Sequence, residues 1–215
     1  MDRHGWDERY GAREQTFVRD PNRLVAAEVE GLRPGRALDL ATGEGRHAVW
    51  LASLGWRVVA VDFSTVGVTR AAARARHEGR HVAFAAADVY ALRLPPATFE
   101  LVLCSFFHPP PEQRRHLYPA LAAALAPGGS LVQVSYDVRN ATEGTGGPKD
   151  LPMLVDPPVV AAELEAAGLA VTRADSIRLR TPTLDGEEVD VVDAIVHAVK
   201  PLSRRGSPNR VPHSG

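Results

Sequence analysis

The stretch Ala37-Leu38-Asp39-Leu40-Ala41-Thr42-Gly43-Glu44-Gly45-Arg46-His47-Ala48 decides the fold. It joins a short apolar run, Arg36 to Leu40, to a helical pattern from His47 to Leu54 that Gly55 ends. Glycine lacks a Cβ and tolerates left-handed angles, so a strand passing into a helix through paired glycines can bring its backbone close to a ligand. Gly43-x-Gly45-x-x-Ala48 satisfies the fingerprint of nucleotide-cofactor sites. Asp62 closes the next apolar run, Arg57 to Val61, where a carboxylate can accept hydrogen bonds from ribose hydroxyls. The spacing alone leaves NAD, FAD and S-adenosylmethionine open. Charge narrows the choice. A pyrophosphate needs amide donors at the helix start and is disfavoured by a nearby carboxylate. Asp39 precedes these glycines and Glu44 lies between them, which suits a ligand with a cationic end, such as the ammonium and sulfonium of S-adenosylmethionine.

Outward from the loop, apolar runs alternate with helical patterns as far as residue 136. Ser64 to Glu78 reads as a helix, His81 to Ala86 and Phe99 to Phe106 as strands, Pro111 to Ala126 as a helix stopped by Pro127-Gly128-Gly129, and Ser130 to Tyr136 as a strand. Such alternation predicts βαβ units and a parallel sheet with helices on both faces. The remainder differs. Asp137 to Pro158 is polar and rich in Gly and Pro, a length that in compact domains points to an active-site loop. A helix from Val159 to Ala167 precedes two strand-like runs, Leu169 to Arg180 and Val189 to Val199, which read as an antiparallel edge hairpin. In front of the glycine loop, Asp20-Pro21 predicts the start of a helix reaching about Glu30. The expected organisation is one domain over 1–200, with a cap segment at 1–35, a loop at 137–158 and a disordered tail at 201–215.

Composition bounds the function. The chain has 215 residues, with 25 Lys+Arg against 26 Asp+Glu and a formal net charge of −1. This balance argues against a duplex-nucleic-acid binder. Cys104 is the one cysteine, which excludes intramolecular disulfides and Cys-rich zinc sites. No apolar run is long enough for a membrane span, and the start Met1-Asp2-Arg3-His4-Gly5-Trp6 lacks the order of a signal peptide, so the cytoplasm is the expected compartment.

Several motifs taken together resemble the class I S-adenosylmethionine-dependent methyltransferases. They are Asp39-Leu40-x-x-Gly43-x-Gly45, Asp62-Phe63-Ser64, Asp88-Val89 after the third strand, and Leu125-Ala126-Pro127-Gly128-Gly129 before the fifth. More narrowly, the run from Gly43 to Trp56 and the front segment from Trp6 through Tyr10 to Arg23 are similar to the tellurite-resistance and thiopurine-type methyltransferases, which act on small molecules. The resemblance implies a Rossmann-like three-layer α/β sandwich with a seven-stranded, mainly parallel sheet and an antiparallel C-terminal hairpin. It also implies the site. Asp39 would lie near the methionine moiety, with the backbone from Ala41 and Thr42 to Gly43 and Gly45. Asp62 would bind the ribose, with Phe63 beside the adenine. Asp88 and the Val89 amide would bind the adenine edge. Cys104, Ser105 and Phe106 would face the sulfonium and the methyl acceptor.

Other residues carry weaker signals. His108, before Pro109-Pro110-Pro111, is the candidate general base, since an imidazole near neutral pKa suits that role. Trp6, Tyr10 and Phe17 would close over the substrate. His77-Glu78-Gly79-Arg80-His81 matches the zinc-protease pattern, but Gly79 and the strand after it should keep the two histidines off a shared helix face, so no metal is expected. The expected function is methyl transfer from S-adenosylmethionine to a small-molecule nucleophile, giving S-adenosylhomocysteine. The expected state is a monomer or weak homodimer. The alternatives are an NAD-type oxidoreductase using the same loop, disfavoured by Asp39, and a non-catalytic S-adenosylmethionine-binding protein.

Overall fold

A computed structural model describes residues 3–13, 16 and 18–202. Phe17 and the tail from residue 203 onward lie outside the described residues. The strands are β1 (Arg36–Leu40), β2 (Arg57–Asp62), β3 (Val82–Ala86), β4 (Phe99–Ser105), β5 (Leu125–Tyr136), β6 (Ala170–Pro182) and β7 (Glu188–Val199). The helices are α1 (Arg3–Gly11), α2 (Arg23–Val29), α3 (Arg46–Ser53), α4 (Thr65–His77), α5 (Pro111–Ala124), α6 (Asn140–Glu143) and α7 (Pro157–Ala166).

Among the described residues the seven strands form one sheet in the order β3-β2-β1-β4-β5-β7-β6. β1 to β5 pair in parallel, and β7 joins β5 and β6 antiparallel. The chain order reverses between β1 and β4, and in open α/β sheets ligands bind beyond the strand ends at such a point. Alternation along the strands sorts the core into two layers. Leu38, Leu40, Val102, Cys104 and Leu131 pack with α5 and α7, while Ala37, Leu101, Leu103, Val132 and Ile195 pack with α2 and α3.

Most of the expected elements are present, and three differ. The Pro127-Gly128-Gly129 stretch does not stand between a helix and a strand; α5 ends at Ala124 and β5 already begins at Leu125. Gly129 is needed there because a Cβ would sit 2.8 Å from the Phe99 carbonyl oxygen. The front helix is capped not by Asp20 but by Asn22, whose Oδ1 accepts the Leu24 and Val25 amides at 2.9 and 3.3 Å. Residues 137–158 form a pinned excursion. Buried Asn140 accepts the Val192 amide at 2.9 Å and donates to the Gly146 and Pro148 carbonyls at 3.0 and 3.1 Å. The strand pairing of Tyr136 and Val138 with Val155 closes its base.

Candidate active site

The glycine loop leaves β1 with three left-handed residues, Ala41 at φ 55°, Gly43 at φ 55° and Gly45 at φ 76°. Gly45 stands at the N-terminus of α3, and a Cβ there would lie 2.8 Å from the Ala71 Cβ of α4. Close packing of loop against helix therefore demands glycine. Both motif carboxylates brace this loop. Asp39, 1% exposed, accepts the Thr42 hydroxyl at 2.6 Å and the Ala48 amide. Asp62 accepts the Gly43 amide at 2.8 Å and the Ser64 amide at 2.9 Å. Burial is the largest influence on both and pushes their pKa values up, Asp39 to about 7.

α1 lies directly over this loop. Asp7 accepts the Ser64 hydroxyl and the Val66 amide, so it caps the start of α4 from outside. Tyr10 is buried with its hydroxyl against Gly43, where a Cβ would come within 2.7 Å of it, and its ring packs on Gly67. Trp6 packs on Tyr10 in a tilted arrangement at 5.4 Å between ring centroids. Glu44 bonds outward, accepting the Thr16 amide and Arg70, each at 3.0 Å. Trp6 and Tyr10, expected to close over the substrate, pack instead over the glycine loop.

The other expected residues are placed as follows. Phe63 follows Asp62 and is half-buried. Asp88 spends one carboxylate oxygen capping the turn of Val89–Ala91, accepting the Tyr90 amide at 2.9 Å. Cys104 is directed into the core beside Tyr118, and burial pushes its thiol up to about 12. Its side chain thus belongs to the packing, leaving Ser105 and Phe106 at the strand end. Phe106 turns left-handed at φ 53° and packs on Tyr136 at 5.0 Å. His108 stacks on the same Tyr136 at 6.3 Å, and burial lowers its pKa to about 4. A neutral imidazole at pH 7 results, not one poised to titrate near neutrality. His77 ends α4, and His81 lies beyond Gly79, just before β3, so the pair shares no helix face.

Sequence reading missed a second group of residues at the same sheet edge. Asp193 of β7 stands opposite Tyr136 of β5 and is 2% exposed. Arg46, first in α3, interacts electrostatically with both. Asp193 interrupts the apolar run Val191-Val192-Asp193-Ala194-Ile195, and a carboxylate inside a buried strand is a signal for a site.

Residues 37–129 match the family described as methyltransferase domain. A demethylmenaquinone methyltransferase of Thermus thermophilus is 35% identical over 105 residues, covering 48% of this chain and 48% of that protein. The chain thus spans about half the length of this curated relative. The structure solved for "Conversion of a Disulfide Bond into a Thioacetal Group during Echinomycin Biosynthesis" superimposes with a TM-score of 0.74 at 21% identity, covering 94% of both chains. TehB from Haemophilus influenzae gives a TM-score of 0.68 at 14% identity, over 84% of this chain and 62% of its own. These two likenesses are of fold. Residues 37–129 thus match the methyltransferase-domain family, and the braced glycine loop and strand order agree with the fold of these solved structures.

Proposed function

We propose that the protein transfers a methyl group from S-adenosylmethionine to a small-molecule nucleophile, releasing S-adenosylhomocysteine. The observation that carries this reading is the glycine loop with acidic residues at the ends of two adjacent strands, Asp39 on β1 and Asp62 on β2, and no cation between the glycines. When bound, the cofactor supplies an electrophilic methyl on a cationic sulfur. The loop backbone from Ala41 to Gly45 would hold the amino-acid end, with Asp39 fixing the loop's shape. Asp62 would take the ribose hydroxyls with the lone pairs that Gly43 and Ser64 leave over. Asp88, Val89 and Phe63 would border the adenine. Tyr10 lies beside Gly43, so α1 would cover the bound cofactor. Such covering excludes water and holds the reactants in line, which is most of what a methyl displacement needs from a protein.

Melting curves test the reading. S-adenosylmethionine and S-adenosylhomocysteine should raise Tm in proportion to the logarithm of ligand concentration, and NAD and FAD should not. Turnover against thiols, selenite, tellurite, phenols and heterocyclic amines then separates an enzyme from a binding protein. NAD binding without any response to S-adenosylmethionine overturns the proposal.

A further inference from the structure

Beside the glycine loop, the C-terminal edge of the sheet holds polar atoms that no element of the fold satisfies. Asp193 receives a hydrogen bond from the Asn22 side chain, yet its Oδ1 is buried with no partner. Arg46 Nε, His108 Nδ1, Ser105 Oγ and Asp137 Oδ2 are in the same condition. Buried polar atoms are nearly always paired, because an unpaired one costs a few kcal/mol. A cluster of them at the ligand edge of an α/β sheet is the complement of something that binds there. The cluster is also walled by rings. Phe106 and His108 pack on Tyr136, with His108 within 13° of parallel to it.

Position separates this cluster from the cofactor loop while keeping it within reach. From β1 to β7 there are three strand spacings, about 14 Å in all. Arg46 spans part of that gap, since it follows Gly45 directly and interacts with Tyr136 and Asp193. The charged and titratable groups around Asp193 are Arg46 of α3, Tyr136 of β5 and Asp137 just after it, with Asp20 and Arg74 further out on Arg46.

We propose that Arg46, Tyr136 and Asp193 bind the methyl acceptor, that the acceptor is a hydroxyarene, and that Asp193 Oδ1 receives its hydroxyl proton. This rests on the methyl-transfer reading above. The aromatic wall fits a flat ring, Asp193 Oδ1 accepts the O–H, and Arg46 Nε donates to the oxygen as its charge grows. In the reaction the acceptor oxygen forms its bond to the methyl carbon while the carbon–sulfur bond breaks and its electron pair stays on sulfur. The proton leaves through Asp193 to water. Burial pushes the Asp193 carboxyl up to about 7, so it holds a proton near neutrality better than an ordinary carboxylate, whereas His108, lowered to about 4, serves as wall.

The test uses 4-nitrocatechol, whose visible absorbance reports both binding and ionisation, added to the protein saturated with S-adenosylhomocysteine. Wild type should bind it. Asp193→Asn should weaken that binding by roughly tenfold, the scale of a hydrogen bond to a charged group, and abolish the spectral shift of the bound phenol. Tyr136→Phe should weaken it by about threefold. In both variants the affinity for S-adenosylhomocysteine should stay within about twofold and Tm should not fall. Equal losses for both ligands, unchanged catechol binding in Asp193→Asn, or no catechol binding to wild type would overturn the assignment. Failure of wild type to bind S-adenosylhomocysteine would instead remove the methyl-transfer reading on which it rests.

Discussion

The two halves of the sheet edge are built on opposite principles. On the β1–β2 side the polar side chains of the motif are engaged inside the protein: Asp39 with Thr42 and Ala48, Asp62 with Gly43 and Ser64, and Ser64 with Gly67 and Asp7. On the β4–β5–β7 side Ser105, His108, Asp137 and Asp193 each keep a buried atom without a partner. A half whose polar groups satisfy one another holds a fixed shape for a constant ligand. A half that leaves them open takes its stability and its selectivity from whatever completes it. Under the proposed function, the first half goes to the cofactor and the second to the acceptor.

The sharpest way to break this comparison is to substitute one residue from each half and titrate S-adenosylhomocysteine. Asp62→Ala should lower its affinity by roughly tenfold to a hundredfold, as loss of a charged hydrogen-bond acceptor does, while His108→Ala should leave it within about twofold. Isothermal calorimetry decides it; equal losses would mean that the halves are not separate.

A somewhat smaller effect is expected from Gly45→Ala. The left-handed φ of 76° and the 2.8 Å approach to Ala71 should together cost roughly 2–3 kcal/mol in urea unfolding, because strain and overpacking add. Gly79→Ala has φ 64° but open space around it, and should cost only about 1 kcal/mol. If the two variants prove equal, contact with α4 does not explain the loop glycine.

The titrations of the two halves share a direction, and pH sharpens the comparison further. Asp39 and Asp193 both rise from 3.8 to about 7 in the folded protein, so folding takes up protons and each residue's contribution falls as pH climbs from about 4 to 7. Asp39→Asn should therefore gain stability over wild type at pH 8 relative to pH 5. His47 acts the other way. Burial lowers it to about 3 while its ring accepts the Asn22 amide, so its contribution is complete above pH 6.5 and is lost as pH falls towards 3. His47→Gln should show a shallower acid limb in urea titrations from pH 7 to pH 4. A steeper limb would mean that the imidazole is not buried neutral.

The smallest effect belongs to neither half. Tyr118 donates to Gln133 Oε1 at 2.8 Å inside the core, and Tyr118→Phe should cost about 1 kcal/mol with no change in S-adenosylhomocysteine affinity.

The glycine-loop half was legible in the sequence because it is local. Strand, glycines, helix and the carboxylate ending the next strand fall within residues 36–62, and their spacing fixes their meeting. The mainly parallel α/β class was legible for the same reason, through alternating apolar runs. The β4–β5–β7 half is assembled from residues 46, 105, 108, 136 and 193, which only the topology brings together, so no spacing could announce it. His108 was singled out for its position after β4, but burial, invisible in a loop sequence, fixes its charge state. The front segment reads as a cap, but its contacts, Asp7 on Ser64 and Tyr10 on Gly43, reach far along the chain, so no spacing could locate them. Similarly, the anchoring of the 137–158 loop cannot be read from its sequence, because Asn140 is a single polar residue whose partners are backbone groups.

The antiparallel entry of β7 has a consequence in time. Parallel strands deliver their C-terminal ends to the functional edge, but β7 arrives there with its beginning and brings Asp193 opposite Tyr136 from nearly the last stretch of sheet to be synthesised. Closing that loop, with the hairpin partner β6 already on the outside, is a long-range pairing that comes late when local units form first. A nascent chain that has completed β1 to β5 therefore owns its cofactor loop but not its acceptor-side carboxylate. In such an intermediate Tyr136 stands without Asp193 opposite it until the final strand docks.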